Sequence, residues 1–125
     1  MIRLWIIASG RPTRGGDDVQ IKSGASLQGL QLPMRNVLMI AEDIWRSAGR
    51  PEGVTVTSGT DGLHSAGSLH YYGYAVDLRI RYFSPYVSSL VFSHLSSRLS
   101  DVDIHYRCIL EDDHIHVEYR GAIDG

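Results

Sequence analysis

The stretch YAVDLRI at residues 74–80 and the stretch HIHVEY at residues 114–119 both alternate apolar and polar side chains. Because successive side chains on a strand point to opposite faces of a sheet, each stretch predicts a strand with one apolar and one polar face. Asp77 falls on the polar face of the first strand, and His114 and His116 fall on the polar face of the second. If the two strands lie close together in one sheet, Asp77 and His116 converge on the side that faces away from the core.

Further strands and two helices are predicted around this pair. Apolar residues recur at three- and four-residue steps over residues 34–48 and 85–99, which predicts two amphipathic helices. Residues 54–58 and 104–110 are predicted to be two more strands. Separate runs of helices and strands favour an α+β domain with a small, mostly antiparallel sheet and flanking helices.

The N-terminal quarter of the chain gives weaker signals. Residues 4–8 form an apolar run of roughly five residues, which is too short for a signal peptide or a membrane helix and predicts a short strand. Residues 9–31 are rich in glycine and predict a long loop, broken by a short strand near residues 19–22. We therefore expect synthesis in a cytoplasm without a signal peptide.

Composition narrows the class of protein. A chain of 125 residues with 43% hydrophobic residues fits one domain over residues 1–125. The net charge of -2 and the absence of a basic stripe argue against nucleic acid or anionic lipid as a partner. The single cysteine, Cys108, cannot form an intramolecular disulfide, and its alternation with Ile104, Tyr106 and Leu110 predicts a buried strand position. We expect a monomer without a membrane segment.

His70 completes a candidate metal site. It lies seven residues before Asp77, with Gly73 between them, and glycine permits the backbone shapes that fold His70 back over Asp77. Two imidazoles and one carboxylate with an open fourth position are a typical catalytic zinc set, and zinc lowers the pKa of a water there to roughly 7. Each signal alone also fits an ordinary exposed strand residue, but together His70, Asp77 and His116 favour a metal site.

These motifs carry a resemblance to a known family. SLHYYGYAVDLR at residues 68–79 fits the pattern S-x-H-x-x-G-x-A-x-D, and DHIHVEY at residues 113–119 fits the second metal-binding strand. Together they resemble the zinc D-alanyl-D-alanine carboxypeptidase and dipeptidase family, above all its small phage L-alanyl-D-glutamate endopeptidases. The Hedgehog signalling domain has a similar zinc architecture. The resemblance covers roughly residues 54–119.

The resemblance implies roles for particular residues. It implies His70, Asp77 and His116 as Zn2+ ligands, Asp113 as the catalytic base and Ser68 as a residue that bonds the substrate or orients a ligand. The implied substrate is a peptidoglycan stem peptide, cut at L-Ala–D-Glu or at D-Ala–D-Ala, and the implied place of action is the bacterial cell wall. Some members grip substrate with an arginine shortly after the first SG. Thr60 and Asp61 follow SG here, so the gripping residue is unassigned, with Arg79 and Arg14 as candidates.

Several assignments have alternatives. Glu111 stands three residues before His114, so Glu111 and His114 can replace Asp113 and His116 as base and third ligand. His114 otherwise lies beside the metal, where it stabilises an oxyanion or positions Asp113, or it is simply an exposed strand residue. His64 and Tyr72 are further candidates for substrate binding, although His64 also fits a plain polar loop.

Two other functions fit parts of the pattern. A non-catalytic zinc-binding module of the Hedgehog type binds a partner and needs no base, so the acid at Asp113 argues against it. A phage structural protein would use the fold for attachment to the wall, but the chain has no repeat or separate wall-binding segment. A nucleobase deaminase is excluded, because no CxxC motif accompanies the HxE sequence at His116 and Glu118.

Overall fold

The computed structural model describes residues 19–61, 68–70 and 72–121. The strand predicted at residues 4–8, the first part of the predicted loop at residues 9–31, and His64 lie outside the described residues. Seven elements follow one another in the order β1 Gln20–Ile21, α1 Leu32–Ser47, β2 Thr55–Ser58, β3 Ala75–Arg79, α2 Pro85–Val102, β4 Tyr106–Leu110 and β5 His114–Tyr119. The predicted α+β class is confirmed, and within the described residues one element lies at each predicted place.

The sheet has five strands in the order β1-β2-β3-β5-β4. The four strands from β2 onwards pair antiparallel, as expected, but β1 pairs parallel with β2. The sheet is therefore mixed, and the expectation of a mostly antiparallel sheet is confirmed, with one parallel pair at the β1 edge. The cause is the connection, because the chain crosses through α1 between β1 and β2, and such a crossover lets two neighbouring strands run in the same direction.

Helix α1 begins at Leu32, two residues before the predicted start at residue 34, so Pro33 lies in its first turn. Proline is tolerated there because the first N–H groups of a helix have no intrahelical partner. The predicted apolar stripe is buried, and Trp45 is fully enclosed while its Nε1–H donates to the Arg79 carbonyl oxygen at 3.0 Å. This bond ties the helix to the end of β3.

Helix α2 begins after Ser84, whose hydroxyl accepts a hydrogen bond from the Val87 N–H at 3.2 Å. Its buried apolar side chains repeat at four-residue steps, and they are Val91, Leu95 and Leu99. Leu90 is one of the apolar residues whose spacing predicts this helix, but it is 51% exposed, since only one narrow side of the helix reaches the sheet. No helix in the described part of the chain has both the length and the apolar character needed to cross a bilayer.

The core lies between the two helices and one face of the sheet. The sheet side of this core is formed by side chains that are at most 2% exposed, namely Val76, Leu78, Ile80, Ile115 and Val117. Alternation along β3 and β5 therefore sends Asp77, His114 and His116 to the opposite face, as predicted.

The edge strand β4 departs from its predicted pattern. Cys108 is partly buried against the core, and burial raises the pKa of its thiol. Ile104 is 84% exposed and Leu110 is 41% exposed, so the alternation that predicted a buried Cys108 does not mark buried positions at its two ends. The reason is that Ile104 precedes the strand and Leu110 ends it, where the helix layer no longer covers the edge.

Candidate metal centre

The sheet register brings two of the predicted ligands together. Strands β3 and β5 are direct neighbours, and Asp77 stands opposite His116. His70 reaches the same place through a tight turn before β3, in which Gly73 has a φ of 81° and its N–H donates to the His70 carbonyl oxygen at 3.1 Å. A Cβ at Gly73 would also collide with the Gly29 carbonyl oxygen, so the turn requires glycine.

Three side-chain atoms form a small triangle at this point. His116 Nδ1 lies 3.0 Å from Asp77 Oδ1, and His70 Nε2 lies 3.2 Å from both Asp77 Oδ1 and His116 Nδ1. Tetrahedral ligands at zinc–ligand distances of about 2.0–2.1 Å lie about 3.3–3.4 Å from one another. Within the described residues, these three side chains are the group that can hold a metal ion.

The outer nitrogens of both histidines determine which atoms face the triangle. His70 Nδ1 lies 3.0 Å from the Gly59 carbonyl oxygen, which only accepts, so Nδ1 carries the proton and Nε2 presents a lone pair. His116 Nε2 lies 2.8 Å from Glu118 Oε1, which assigns its proton to Nε2 in the same way. Two lone pairs and a carboxylate oxygen then converge and repel one another unless a cation lies between them. The donor set therefore fits a metal ion.

Glu118 and Gly59 are site residues that the sequence analysis missed as such. Glu118 accepts from His116 and from Arg120 Nη1 at 3.1 Å, and acceptors of this kind orient metal-binding histidines in many proteins. The spacing of two residues from His116 could have indicated it, because both side chains share one face of β5. The Gly59 acceptor is a backbone oxygen, so no side-chain pattern marks it.

Asp61 and Thr60 hold the segment that carries this carbonyl. Asp61 Oδ1 accepts from the Gly59 N–H at 2.7 Å and from the Ser26 N–H at 2.9 Å. The Thr60 hydroxyl donates to the Gln28 carbonyl oxygen at 2.6 Å. The loop after β2 is thus fastened to the segment before α1, which stabilises the acceptor of His70.

Protonation equilibria in the site follow from these contacts. Burial would raise the pKa of Asp77, but the His116 and His70 rings, which bond to the carboxylate when they are protonated, outweigh it and hold that pKa far below its usual range. Burial would lower the pKa of His116, but Asp77 and Glu118 raise it overall. The pKa of Glu118 is lowered because His116 and Arg120 outweigh its burial. Both carboxylates are therefore ionised at neutral pH.

His114 and Asp113 form a second pair beside the triangle. His114 Nδ1 lies 2.8 Å from Asp113 Oδ1, and His114 Nε2 lies 3.8 Å from Asp77 Oδ2. His114 thus stands between Asp113 and the candidate ligands. The hydrogen bond from His114 lowers the pKa of Asp113, whose side chain is 71% exposed.

The remaining candidates lie around this centre. Glu111 is exposed, and its backbone N–H donates to the His114 carbonyl oxygen at 2.9 Å, which closes the turn between β4 and β5. Ser68 accepts a hydrogen bond from the His70 N–H through its hydroxyl at 3.2 Å, so it orients the ligand loop. Tyr72 is 54% exposed.

The ligand face is closed at one end and open at the other. Ala75 is fully buried and the Glu118 side chain is 11% exposed, which closes the end where β3 begins. Exposure of the β5 side chains rises to 19% at His116 and 28% at His114. Access to the ligand atoms is therefore from the end marked by His114.

Comparisons of the chain with protein-family models, with curated proteins and with solved structures find no match in any of the three.

Proposed function

We propose that the chain is a zinc-dependent peptidase that hydrolyses peptidoglycan stem peptides. The observation that carries the proposal is the triangle of His70 Nε2, Asp77 Oδ1 and His116 Nδ1, with sides of 3.0–3.2 Å. Both histidines have their outer nitrogens bound to acceptors, so their inner nitrogens are ready to bind a cation without rearrangement.

The donor set favours zinc over harder cations. Imidazole nitrogen suits zinc, whereas magnesium and calcium prefer sites made of oxygen alone. Three protein ligands with a free fourth position are typical of catalytic zinc sites, and closed structural sites supply four. A bound zinc ion supplies Lewis-acid polarisation of the scissile carbonyl and lowers the pKa of water to roughly 7.

The Asp113–His114 pair supports hydrolysis in this proposal. Ionised Asp113 keeps the proton of His114 on Nδ1, so Nε2 presents a lone pair toward the ligand atoms. The pair therefore accepts the proton of the attacking water, with Asp113 as the carboxylate base that acts through His114. Protonated His114 then donates to the leaving amine or to the developing oxyanion.

The substrate class comes from the family resemblance. The motifs at residues 68–77 and 113–119 are similar to those of enzymes that cut peptide bonds next to D-amino acids in the bacterial wall. The chain departs from the pattern after SG, where Thr60 and Asp61 hold the segment that carries the Gly59 carbonyl and bring no cation to the substrate. The position of the substrate-binding cation is therefore a separate question.

Digestion of purified peptidoglycan tests the proposed function. Zinc-loaded protein should release new termini that mass spectrometry identifies as cut at L-Ala–D-Glu or at D-Ala–D-Ala. A chelator should abolish the release, and added zinc should restore it. His70→Ala protein is the matched control, since it keeps Asp113 and His114 but lacks one ligand. A wild-type protein that binds one zinc per chain and yields no new termini would overturn the peptidase proposal.

A further inference from the structure

An arginine stands at the open end of the ligand face. Arg79 is two residues from Asp77 on β3, so both side chains lie on the same face of the sheet. Its cross-strand neighbour on β5 is His114. Within the described part of the chain, the Arg79 guanidinium has no hydrogen-bond or ion-pair partner.

The other arginines near the ligand face are placed differently. Arg120 binds Glu118 Oε2 at 3.1 Å and so belongs to the support of His116. Arg107 stands opposite Glu118 in the β4–β5 register, at the closed end. Arg79 is instead half-buried beside the pair that faces the entrance. A substrate that reaches the ligand atoms from the open end must pass it.

We propose that Arg79 binds a carboxylate of the substrate next to the scissile bond, an inference that rests on the proposed peptidase function. The planar guanidinium presents a fork of N–H donors that matches a carboxylate in two parallel hydrogen bonds. Asp77 and Asp113 repel anions at this end of the site. The exposed Arg81 interacts with Asp113 and offsets its charge, whereas Arg79 is half-buried on the ligand face and can attract a substrate carboxylate there.

The two candidate bonds share the required chemistry. In an L-Ala–D-Glu bond, the carbon that carries the leaving nitrogen also carries the free α-carboxylate of a γ-linked D-glutamate. In a terminal D-Ala–D-Ala bond, the same carbon carries the chain-terminal carboxylate. In both cases the carboxylate lies one carbon from the leaving nitrogen. Arg79 can therefore bind the same carboxylate of the leaving residue in either substrate.

Two matched pairs of peptides test the inference. One pair contains L-Ala–γ-D-Glu with either a free α-carboxylate or an α-amide, and the other ends in D-Ala–D-Ala as the acid or the amide. Zinc-loaded wild type, Arg79→Gln, Arg79→Lys and Arg98→Gln are compared by kcat/KM, by calorimetric peptide binding and by zinc content. Arg98→Gln removes the same charge from helix α2, where Arg98 binds Asp43 at 3.0 Å.

We expect wild type to prefer the acid in one pair, which identifies the bond. Arg79→Gln should lower kcat/KM and binding of that acid about 10–100-fold, the usual range for a charge-assisted contact. Its effect on the amide should stay below about threefold, its zinc content should be unchanged, and Arg79→Lys should fall between. Arg98→Gln should match wild type.

The outcomes separate the two proposals. Wild type that cleaves acid and amide equally well overturns the role of Arg79 and leaves the peptidase proposal standing. An equal loss on acid and amide in Arg79→Gln, or a loss of zinc, also overturns it, since either result assigns Arg79 to the integrity of the site. Wild type that neither binds nor cleaves any of the four peptides overturns the peptidase proposal, and the carboxylate inference with it.

Discussion

The two histidines on the polar face of β5 each pair with a carboxylate at 2.8 Å, yet the two pairs differ in burial. In the first, His116 pairs with Glu118, whose side chain is 11% exposed. In the second, His114 pairs with Asp113, whose side chain is 71% exposed. The buried pair directs a lone pair into the ligand triangle, and the exposed pair directs one toward the entrance. The difference suggests that the first pair builds the metal site and the second serves the chemistry.

The largest expected effect is the loss of a ligand from the buried side. His116→Ala and His70→Ala each remove one of three protein ligands, so both should lose stoichiometric zinc and all zinc-dependent activity. Metal analysis of protein purified without chelator measures this, with wild type expected near one equivalent. His114→Ala is the matched control and should keep its zinc. If His114→Ala loses zinc while His116→Ala retains it, the third ligand is His114.

The second prediction concerns substitutions that break the exposed pair of Asp113 and His114. Asp113→Asn keeps the size of the side chain and one accepting oxygen, but it removes the negative charge that holds the His114 proton on Nδ1 and stabilises a protonated His114. The rate should fall about 10²–10⁴-fold, the usual contribution of a positioned acid–base group, with zinc content unchanged. His114→Gln should cost a similar factor, and the double variant little more, because the two residues act as one unit. Full activity in Asp113→Asn would favour the non-catalytic zinc module.

A smaller effect is expected from the buried carboxylate. Glu118→Gln keeps an acceptor for the His116 Nε2 proton but removes its charge, which should lower zinc affinity about 10–100-fold. Competition with a chromogenic chelator measures this affinity. Activity at saturating zinc should fall much less than in Asp113→Asn. An inverted order, with Glu118→Gln inactive while fully loaded and Asp113→Asn unaffected, would reverse the roles assigned to the two pairs.

The sequence predicts only part of the candidate site, and particular residues show why. Alternation along β3 and β5 is a local property, so it correctly places Asp77, His114 and His116 on one face. The partners of the histidines are less visible. Glu118 has the spacing from His116 that a partner needs, but this spacing also fits an ordinary surface residue. The Gly59 acceptor is a backbone oxygen, so no side-chain pattern predicts it.

Contacts between distant parts of the chain are the second feature that the sequence does not predict. The two residues of β1 are too few to show a period, and their parallel pairing with β2 depends on the path of α1 between them. Leu90 and Leu110 carry the composition of buried positions, but their exposure depends on where the helix layer ends. Such facts come from tertiary packing, which local patterns do not encode.

The pH dependence of zinc binding tests the role of the buried pair, His116 and Glu118. Zinc bound at the proposed site would displace the proton that His116 Nδ1 carries at low pH, and the pKa of His116 is raised above its ordinary value by Asp77 and Glu118. Zinc affinity should therefore fall as pH drops through this raised pKa, by about tenfold per pH unit for one proton. Asp77, with its lowered pKa, stays ionised throughout this range.

Thermal unfolding with and without zinc measures this effect. In the metal-free protein the sign is opposite, because a raised His116 pKa contributes stability at low pH that is lost as pH rises through the folded-state pKa. The stabilisation by zinc should therefore widen steadily as pH rises from below the ordinary histidine pKa of about 6.5 through the raised folded-state pKa of His116. A zinc-dependent shift that is constant over this range would contradict the coupling of His116 to the metal.

The smallest expected effect concerns Glu111, which shares the spacing of Asp113 but not its contacts. Glu111 is exposed on the turn, where its backbone N–H binds the His114 carbonyl oxygen, and a side-chain substitution preserves that bond. Glu111→Gln should therefore change kcat/KM by less than about threefold, since surface charges contribute little when solvent screens them. The measurement is a full kinetic profile beside that of Asp113→Asn, with zinc content determined for each protein. A loss of activity in Glu111→Gln comparable to that expected for Asp113→Asn would make Glu111 the base. In that case the histidine three residues after it, His114, would have to be tested as the third ligand.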